Sequence, residues 1–117
     1  MADKVLAREL ALYASNDSQI YRQRLEPFQK NYGLRKAKGT FNKALAIQGL
    51  ANNLARDVLK KYWRETVGRN VRPPAMDKAT KMEFGRHMLD EIMEGVNDIA
   101  KDIKSGRRDG LGNLRRK

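Results

Sequence analysis

The fold is decided by residues 82–103, MEFGRHMLDEIMEGVNDIAKDI. Apolar or small residues recur there at alternating steps of three and four, which places them on one face of an α-helix. They are Met82, Gly85, Leu89, Ile92, Val96, Ile99 and Ile103. The flanking positions hold Met88, Met93 and Ala100, so this face is wider than the seam of a two-stranded coiled coil. We therefore predict a helix buried against two neighbours in its own domain, and we favour this over a dimer zipper.

Three further helices are predicted before this one, because residues that cap helix N-termini precede each apolar pattern. The predicted caps of the four helices are Asp3, Asp17, Asn42 and Asp77. The second helix contains Pro27, which predicts a kink or a break near residues 24–26, and Lys38-Gly39 predicts its end. The third is expected to run to about Val67, before a loop over residues 68–76.

Apolar side chains of the second and third helices are expected to face the core. The second helix carries a stripe of Tyr21, Leu25, Phe28 and Tyr32, and the third carries Ile47, Leu50, Leu54, Val58 and Tyr62. The tyrosines and phenylalanines are all interpreted as core residues. On the outer surface of the third helix, Lys61 is spaced to pair with Asp57 and Glu65 four residues away.

Length and composition limit the classes of protein. The 117 residues suffice for one domain, with 40% apolar and 33% charged residues. The chain has no cysteine, which excludes disulfides and thiolate metal sites. No apolar run approaches the roughly 18 residues of a membrane span, and the start lacks the layout of a signal peptide. We expect a cytoplasmic all-α protein, a compact bundle of about four helices over residues 1–104 with a basic flexible tail over 105–117.

Charge is distributed unevenly along the chain. Residues 1–74 carry 15 Lys and Arg against 6 Asp and Glu, whereas residues 75–104 carry 5 against 7. The formal net charge of +11 draws polyanions towards the protein. Cations concentrate in two stretches and in the tail. The candidate nucleic-acid-binding residues are Arg22, Arg24, Lys30, Arg35, Lys36, Lys38, Lys43, Arg56, Lys60, Arg64, Arg107 and Arg108, with Arg69 and Arg72 continuing the second stretch into the loop.

Patterns typical of enzymes are missing from the sequence. His87 is the only histidine, and no serine lies in a Gly-x-Ser-x-Gly turn that could use it. No phosphate-binding Walker loop or zinc-protease motif occurs. Glu83, His87 and Glu91 share a helical face at a spacing that could hold a metal, but the other helices offer few matching carboxylates. We interpret them as a solvated face and predict a non-enzymatic protein without metal or cofactor.

Part of the sequence resembles a recurrent pattern of small phage-encoded proteins. The resemblance covers residues 10–95 and rests on Leu12-Tyr13, Asn16-Asp17, Tyr21-Arg22-Gln23-Arg24, Pro27, Lys30-Asn31, Lys36, Lys38-Gly39, Phe41, Leu45-Ala46, Lys60-Lys61-Tyr62, Glu65 and Asp77-Lys78-Ala79-Thr80. Gly49 and Asn52-Asn53 depart from it, in a stretch that is otherwise more apolar. The resemblance implies a small helical phage protein and carries over no catalytic residue.

Two functions are compatible with these observations. The first is a nucleic-acid-binding accessory protein, acting on DNA or RNA without strong sequence preference. The second is a phage-type interaction protein that binds an acidic host protein and modulates it. A basic surface that only solubilises the protein remains the simpler alternative to both, and a homo-oligomer is not favoured.

Overall fold

The computed structural model describes residues 2–107 as a set of packed α-helices. Its elements are α1 (Lys4–Asn16), α2 (Ser18–Ile20), a π-helical turn (Tyr21–Leu25), α3 (Glu26–Ala37), α4 (Lys43–Thr66) and α5 (Lys78–Lys104). Because α2, the π-helical turn and α3 follow one another directly, they form one helical segment. The predicted all-α bundle of about four helices is confirmed, and the described part of the chain contains no strand.

All four predicted N-caps are confirmed. In each, a side-chain oxygen accepts a hydrogen bond from the backbone N–H three residues later, which satisfies a donor that the first helical turn leaves free. The pairs are Asp3 with Leu6 (3.0 Å), Asp17 with Ile20 (2.9 Å), Asn42 with Leu45 (3.1 Å) and Asp77 with Thr80 (2.7 Å). Local chemistry at these positions therefore fixes where the helices begin.

Pro27 changes the helix without breaking it. The N–H of Glu26 bonds back five residues to the carbonyl of Tyr21, so the turn immediately before the proline has π geometry. Pro27 itself stands in the first turn of α3, where a backbone N–H is not required. The predicted disruption near residues 24–26 is thus a π-helical turn rather than a break between two helices.

The helix that ends with α3 stops at the predicted position. Gly39 has a φ of 77°, and its N–H bonds to the carbonyl of Lys36 at 3.2 Å. The N–H of Thr40 reaches the carbonyl of Arg35 at 2.8 Å, which completes a Schellman motif. Glycine is suited to this position because it adopts positive φ without steric cost.

Helix α5 lies at the centre of the bundle and contacts α1, α3 and α4, one neighbour more than the sequence predicted. Leu89, Ile92 and Val96 of its apolar stripe are fully buried, and so are Phe84 and Met88 beside them. With 27 residues α5 is the longest helix, yet neither it nor any other helix within residues 2–107 has the length and apolar character needed to cross a membrane.

Close contacts between helices depend on glycine. A Cβ on Gly85 of α5 would overlap the backbone carbonyl oxygen of Ile47 on α4 and lie 3.2 Å from the Cβ of Ala51. A Cβ on Gly33 of α3 would lie 2.5 Å from the Ile99 side chain. These two glycines let α4 and α3 approach α5 more closely than any larger residue would allow.

Lys61, Asp57 and Glu65 of α4 bond to other elements rather than to one another, so the predicted pairs of Lys61 with Asp57 and Glu65 are wrong. Lys61 Nζ lies 2.9 Å from an Asp17 carboxylate oxygen, and Glu65 accepts a hydrogen bond from the Tyr13 hydroxyl at 2.6 Å. Asp57 pairs with Arg24, 3.0 Å away. These partners come within reach only when the helices pack, which the spacing within α4 cannot anticipate.

Helix α5 ends at Lys104. Ser105 caps this end, and Gly106 follows with a φ of 84°. The predicted basic flexible tail over 105–117 lies outside the described residues from position 108 onward.

Replacing Gly85 with alanine should destabilise the protein by about 3 kcal/mol, because the new methyl group overlaps a backbone atom that cannot move without shifting α4. Gly95→Ala on the same helix is the matched control. The atoms nearest its methyl group would be those of the Gln29 side-chain amide, 2.7–3.1 Å away, and because a side chain can move aside more easily than a backbone, the loss of stability should be smaller than for Gly85→Ala. Chemical denaturation measures both, and equal stabilities of the two variants would contradict the close α4–α5 contact.

Asp17 offers a second test, because it caps α2 and also pairs with Lys61. The Ile20 N–H and then Lys61 lower the pKa of its carboxyl group. The pairing therefore stabilises the folded state fully above about pH 4 and is lost as the pH falls through the lowered pKa. Asp17→Ala should cost about 1 kcal/mol at neutral pH, and Asp17→Asn less, since asparagine also caps helices.

The measurement is denaturation of both variants and the parent between neutral pH and pH 2. The difference between the parent and Asp17→Asn should shrink with acidification. A difference that stays constant would show that the charge of Asp17 contributes nothing.

Candidate nucleic-acid interface

The cations predicted on the third helix form one exposed row along α4. Arg56, Lys60 and Arg64 are each exposed, and their spacing of four places them on one side of the helix. Within residues 2–107 none of the three has an ion-pair partner. This part of α4 therefore presents positive charge directly to solvent.

Packing extends the row with a cation that sequence reasoning missed. Lys81 near the start of α5 lines one depression with Arg56 and Lys60 and another with Arg56 and Asn52. Arg69, from the loop after α4, lines a third depression of about 630 Å³ with Lys60 and Arg64. We call Arg56, Lys60, Arg64, Arg69 and Lys81 the α4 ridge. Only the antiparallel packing of α5 on α4 brings Lys81 here, so no local pattern could reveal it.

Glu65 and Asp57 both line depressions of the α4 ridge, and Asp57 takes part in an ion pair. Its carboxylate pairs with Arg24 of the π-helical turn at 3.0 Å, and a second guanidinium nitrogen of Arg24 donates to the carbonyl oxygen of Asn53 at 2.7 Å. Arg24 thus fastens the π-helical turn to α4 and partly neutralises Asp57. Although it was a candidate binding residue, its charge is already engaged within the protein.

The remaining cations of the first predicted stretch lie on α3 and at the start of α4. Arg35 is exposed, and its Nε donates to the side-chain oxygen of Asn31 at 3.1 Å. Lys36 is half-buried and bonds to Asn97 of α5. The other members, which are all exposed, are Arg22, Lys30, Lys38 and Lys43.

Arg24 and Arg35 line different depressions. The π-helical turn holds more residues per turn than an α-helix. Side chains before it are therefore rotated about the helix axis relative to those of α3. In the third predicted set, Arg107 is exposed and Arg108 lies outside the described residues.

Most of the acidic residues of α5 whose spacing could hold a metal are exposed to solvent. Glu83 contacts His87 at 3.8 Å and Arg86 at 3.4 Å, while Glu91 and Glu94 are exposed. No group of three or more potential metal ligands converges within the part of the chain that the structure describes. Glu91, Glu94 and Asp98 leave an exposed acidic strip on α5, separate from the α4 ridge.

Two of the aromatic residues interpreted as core pack against the core and also line a surface groove. Phe28 of α3 and Phe41, just before α4, are half-buried, and Tyr32 lies between them at the base. The Tyr32 hydroxyl donates to the carbonyl of Ala46 at 3.2 Å, and burial raises its pKa to about 12. Tyr32 therefore stays protonated at neutral pH. Its hydroxyl can donate this hydrogen bond, which holds the ring in place at the groove. Trp63 is partly buried and packs on the core.

Comparison of this chain with protein-family models, with curated proteins and with solved structures found no match. The resemblance to small phage-encoded proteins accordingly stays a prediction. Arguments about function rest on the arrangement of side chains alone.

Proposed function

We propose that this protein is a non-enzymatic nucleic-acid-binding accessory protein that contacts phosphates through the α4 ridge, without strong sequence preference. The observation that carries the proposal is the line of Arg56, Lys60 and Arg64, three exposed cations with no ion-pair partner in residues 2–107. Arg69 and Lys81 widen this line into a surface.

The energetics favour a phosphate partner for this surface. Like charges four residues apart on a helix disfavour it by about 0.2–0.5 kcal/mol per pair. Phosphates placed along the row would remove that repulsion and release condensed counterions. Arg56 and Arg64 are separated by about 12 Å along the helix axis. Since each step of a duplex strand advances 3.4 Å, the row matches about three to four steps of one strand.

The lack of strong sequence preference follows from the chemistry of the ridge. Its members are long, flexible cations on α4, the loop after it and the start of α5, and such groups bind phosphates through charge. Base-specific readout in a duplex needs side chains held against base edges in a groove. The α4 ridge supplies a row of positive charges, which can position a nucleic acid without distinguishing its base sequence.

The ridge is tested by the salt dependence of binding to generic duplex DNA, followed by fluorescence anisotropy. In Arg56→Gln/Lys60→Gln the slope of log affinity against log salt should fall by about two, since each phosphate contact contributes about 0.9. The matched control is Lys101→Gln/Lys104→Gln, which removes the same charge about 30 Å further along α5 from Lys81. The control slope should fall by less than one.

Two results would contradict the proposal. If the parent protein fails to bind duplex DNA and single-stranded RNA at low salt, it is not a nucleic-acid-binding protein, and an acidic protein partner becomes the better explanation of the charge. If the two double variants lose the same slope, binding follows net charge and the α4 ridge is not the interface.

Asp57→Asn provides a test in the opposite direction. The substitution removes a carboxylate that lines depressions with Arg56 and Lys60 and frees Arg24 from its ion pair, so affinity for duplex DNA should rise about threefold to tenfold at low salt. Because Arg24 and Asp57 are 40% and 57% exposed, the lost pair should change the free energy of unfolding by less than about 1 kcal/mol. Weaker binding by a folded variant would contradict this role of Asp57.

A further inference from the structure

The groove between α3 and the start of α4 has no role in the proposed phosphate contacts. It has a volume of about 540 Å³, within the range typical of small-ligand sites, and it is open to solvent. Its walls are the rings of Phe28, Tyr32 and Phe41. Leu45, 60% exposed, adds an apolar rim that no described residue covers.

The three rings are held in place by one another. The centroids of Phe28 and Tyr32 are 5.6 Å apart with planes at 44°, and those of Tyr32 and Phe41 are 5.9 Å apart at 63°. The hydrogen bond from Tyr32 to Ala46 ties the central ring to α4. Gly49 leaves room for the Tyr32 hydroxyl, because a Cβ at position 49 would lie 3.2 Å from it. The groove therefore offers a preformed aromatic surface.

Polar groups at the groove suit a charged, planar ligand. The Nε of Arg35 donates to Asn31, and its terminal guanidinium nitrogens have no protein partner within residues 2–107, so they can bind an anion. Asn42 uses its side-chain oxygen to cap α4, so its amide NH₂ is the group left to donate to a ligand. Lys43 is the first residue of α4 and is exposed beside them.

We propose that this groove holds an unstacked nucleobase of a single-stranded nucleic acid, with an adjacent phosphate on Arg35. The inference rests on the proposed nucleic-acid-binding function and adds a preference for single strands. Aromatic faces accept any base by stacking, whereas cations at the rim favour a ligand that carries phosphate. An apolar peptide side chain would use the rings and leave the positive rim without a partner.

The test compares two labelled strands of equal length and charge, an oligothymidylate and an abasic phosphodiester strand. The parent protein should bind the oligothymidylate on the order of tenfold more tightly, because only that strand can stack. Phe41→Leu should abolish this preference while leaving affinity for the abasic strand unchanged, since leucine preserves the apolar contact and removes the ring. Arg56→Gln/Lys60→Gln should weaken binding of both strands equally.

The outcomes separate this inference from the proposed function. Equal affinity of the parent protein for the two strands would overturn the base site and leave the groove to an apolar side chain of a protein partner, while the α4 ridge would stand. Failure to bind either strand at low salt would overturn the base site, and failure to bind duplex DNA as well would overturn the proposed function too. Because the strand comparison uses the parent protein, it decides the question even if Phe41→Leu fails to fold.

Discussion

Close packing around α5 is the constraint on which the rest of the structure depends. Gly85 allows the backbone of α4 to approach α5 directly, and Gly33 allows α3 to pack on Ile99. With three neighbours on its surface, α5 leaves one side to solvent, and Glu91, Glu94 and Asp98 lie there. Because interiors are densely packed, these approaches also fix how each neighbour is rotated about its own axis. The outward face of α4 is thereby determined.

Uneven charge along the sequence becomes uneven charge on the surface through this packing. On α4 the buried side is taken by residues such as Leu50, Leu54 and Val58, so Arg56, Lys60 and Arg64 must point outward. The acids of α5 stay on its own exposed strip. Within residues 2–107 no ion pair joins these acids to the cations of the α4 ridge, which maintains a local positive field there.

Local chemistry made much of the fold predictable, and contacts between helices made the rest unpredictable. Asp3, Asp17, Asn42 and Asp77 could be assigned as caps because each bonds within three residues of itself. The Arg24–Asp57 pair joins residues 33 positions apart, and Lys81 meets Arg56 only through helix packing. Phe28 and Phe41 were assigned to the core by residue type, and only the structure shows that they border a groove.

The groove and the α4 ridge both include residues of α4, and the spacing of these residues places them on the same side of the helix. Leu45, on the rim of the groove, precedes Arg56 by eleven residues, which is close to three turns and about 16 Å of α-helix. Both residues therefore lie on the same side of α4 and are exposed. A strand with one base in the groove could follow this side of α4 towards Arg56 without crossing the acidic strip of α5. Stacking at one end and phosphate contacts at the other would then act on a single chain, so the two sites strengthen each other by raising the local concentration of the strand.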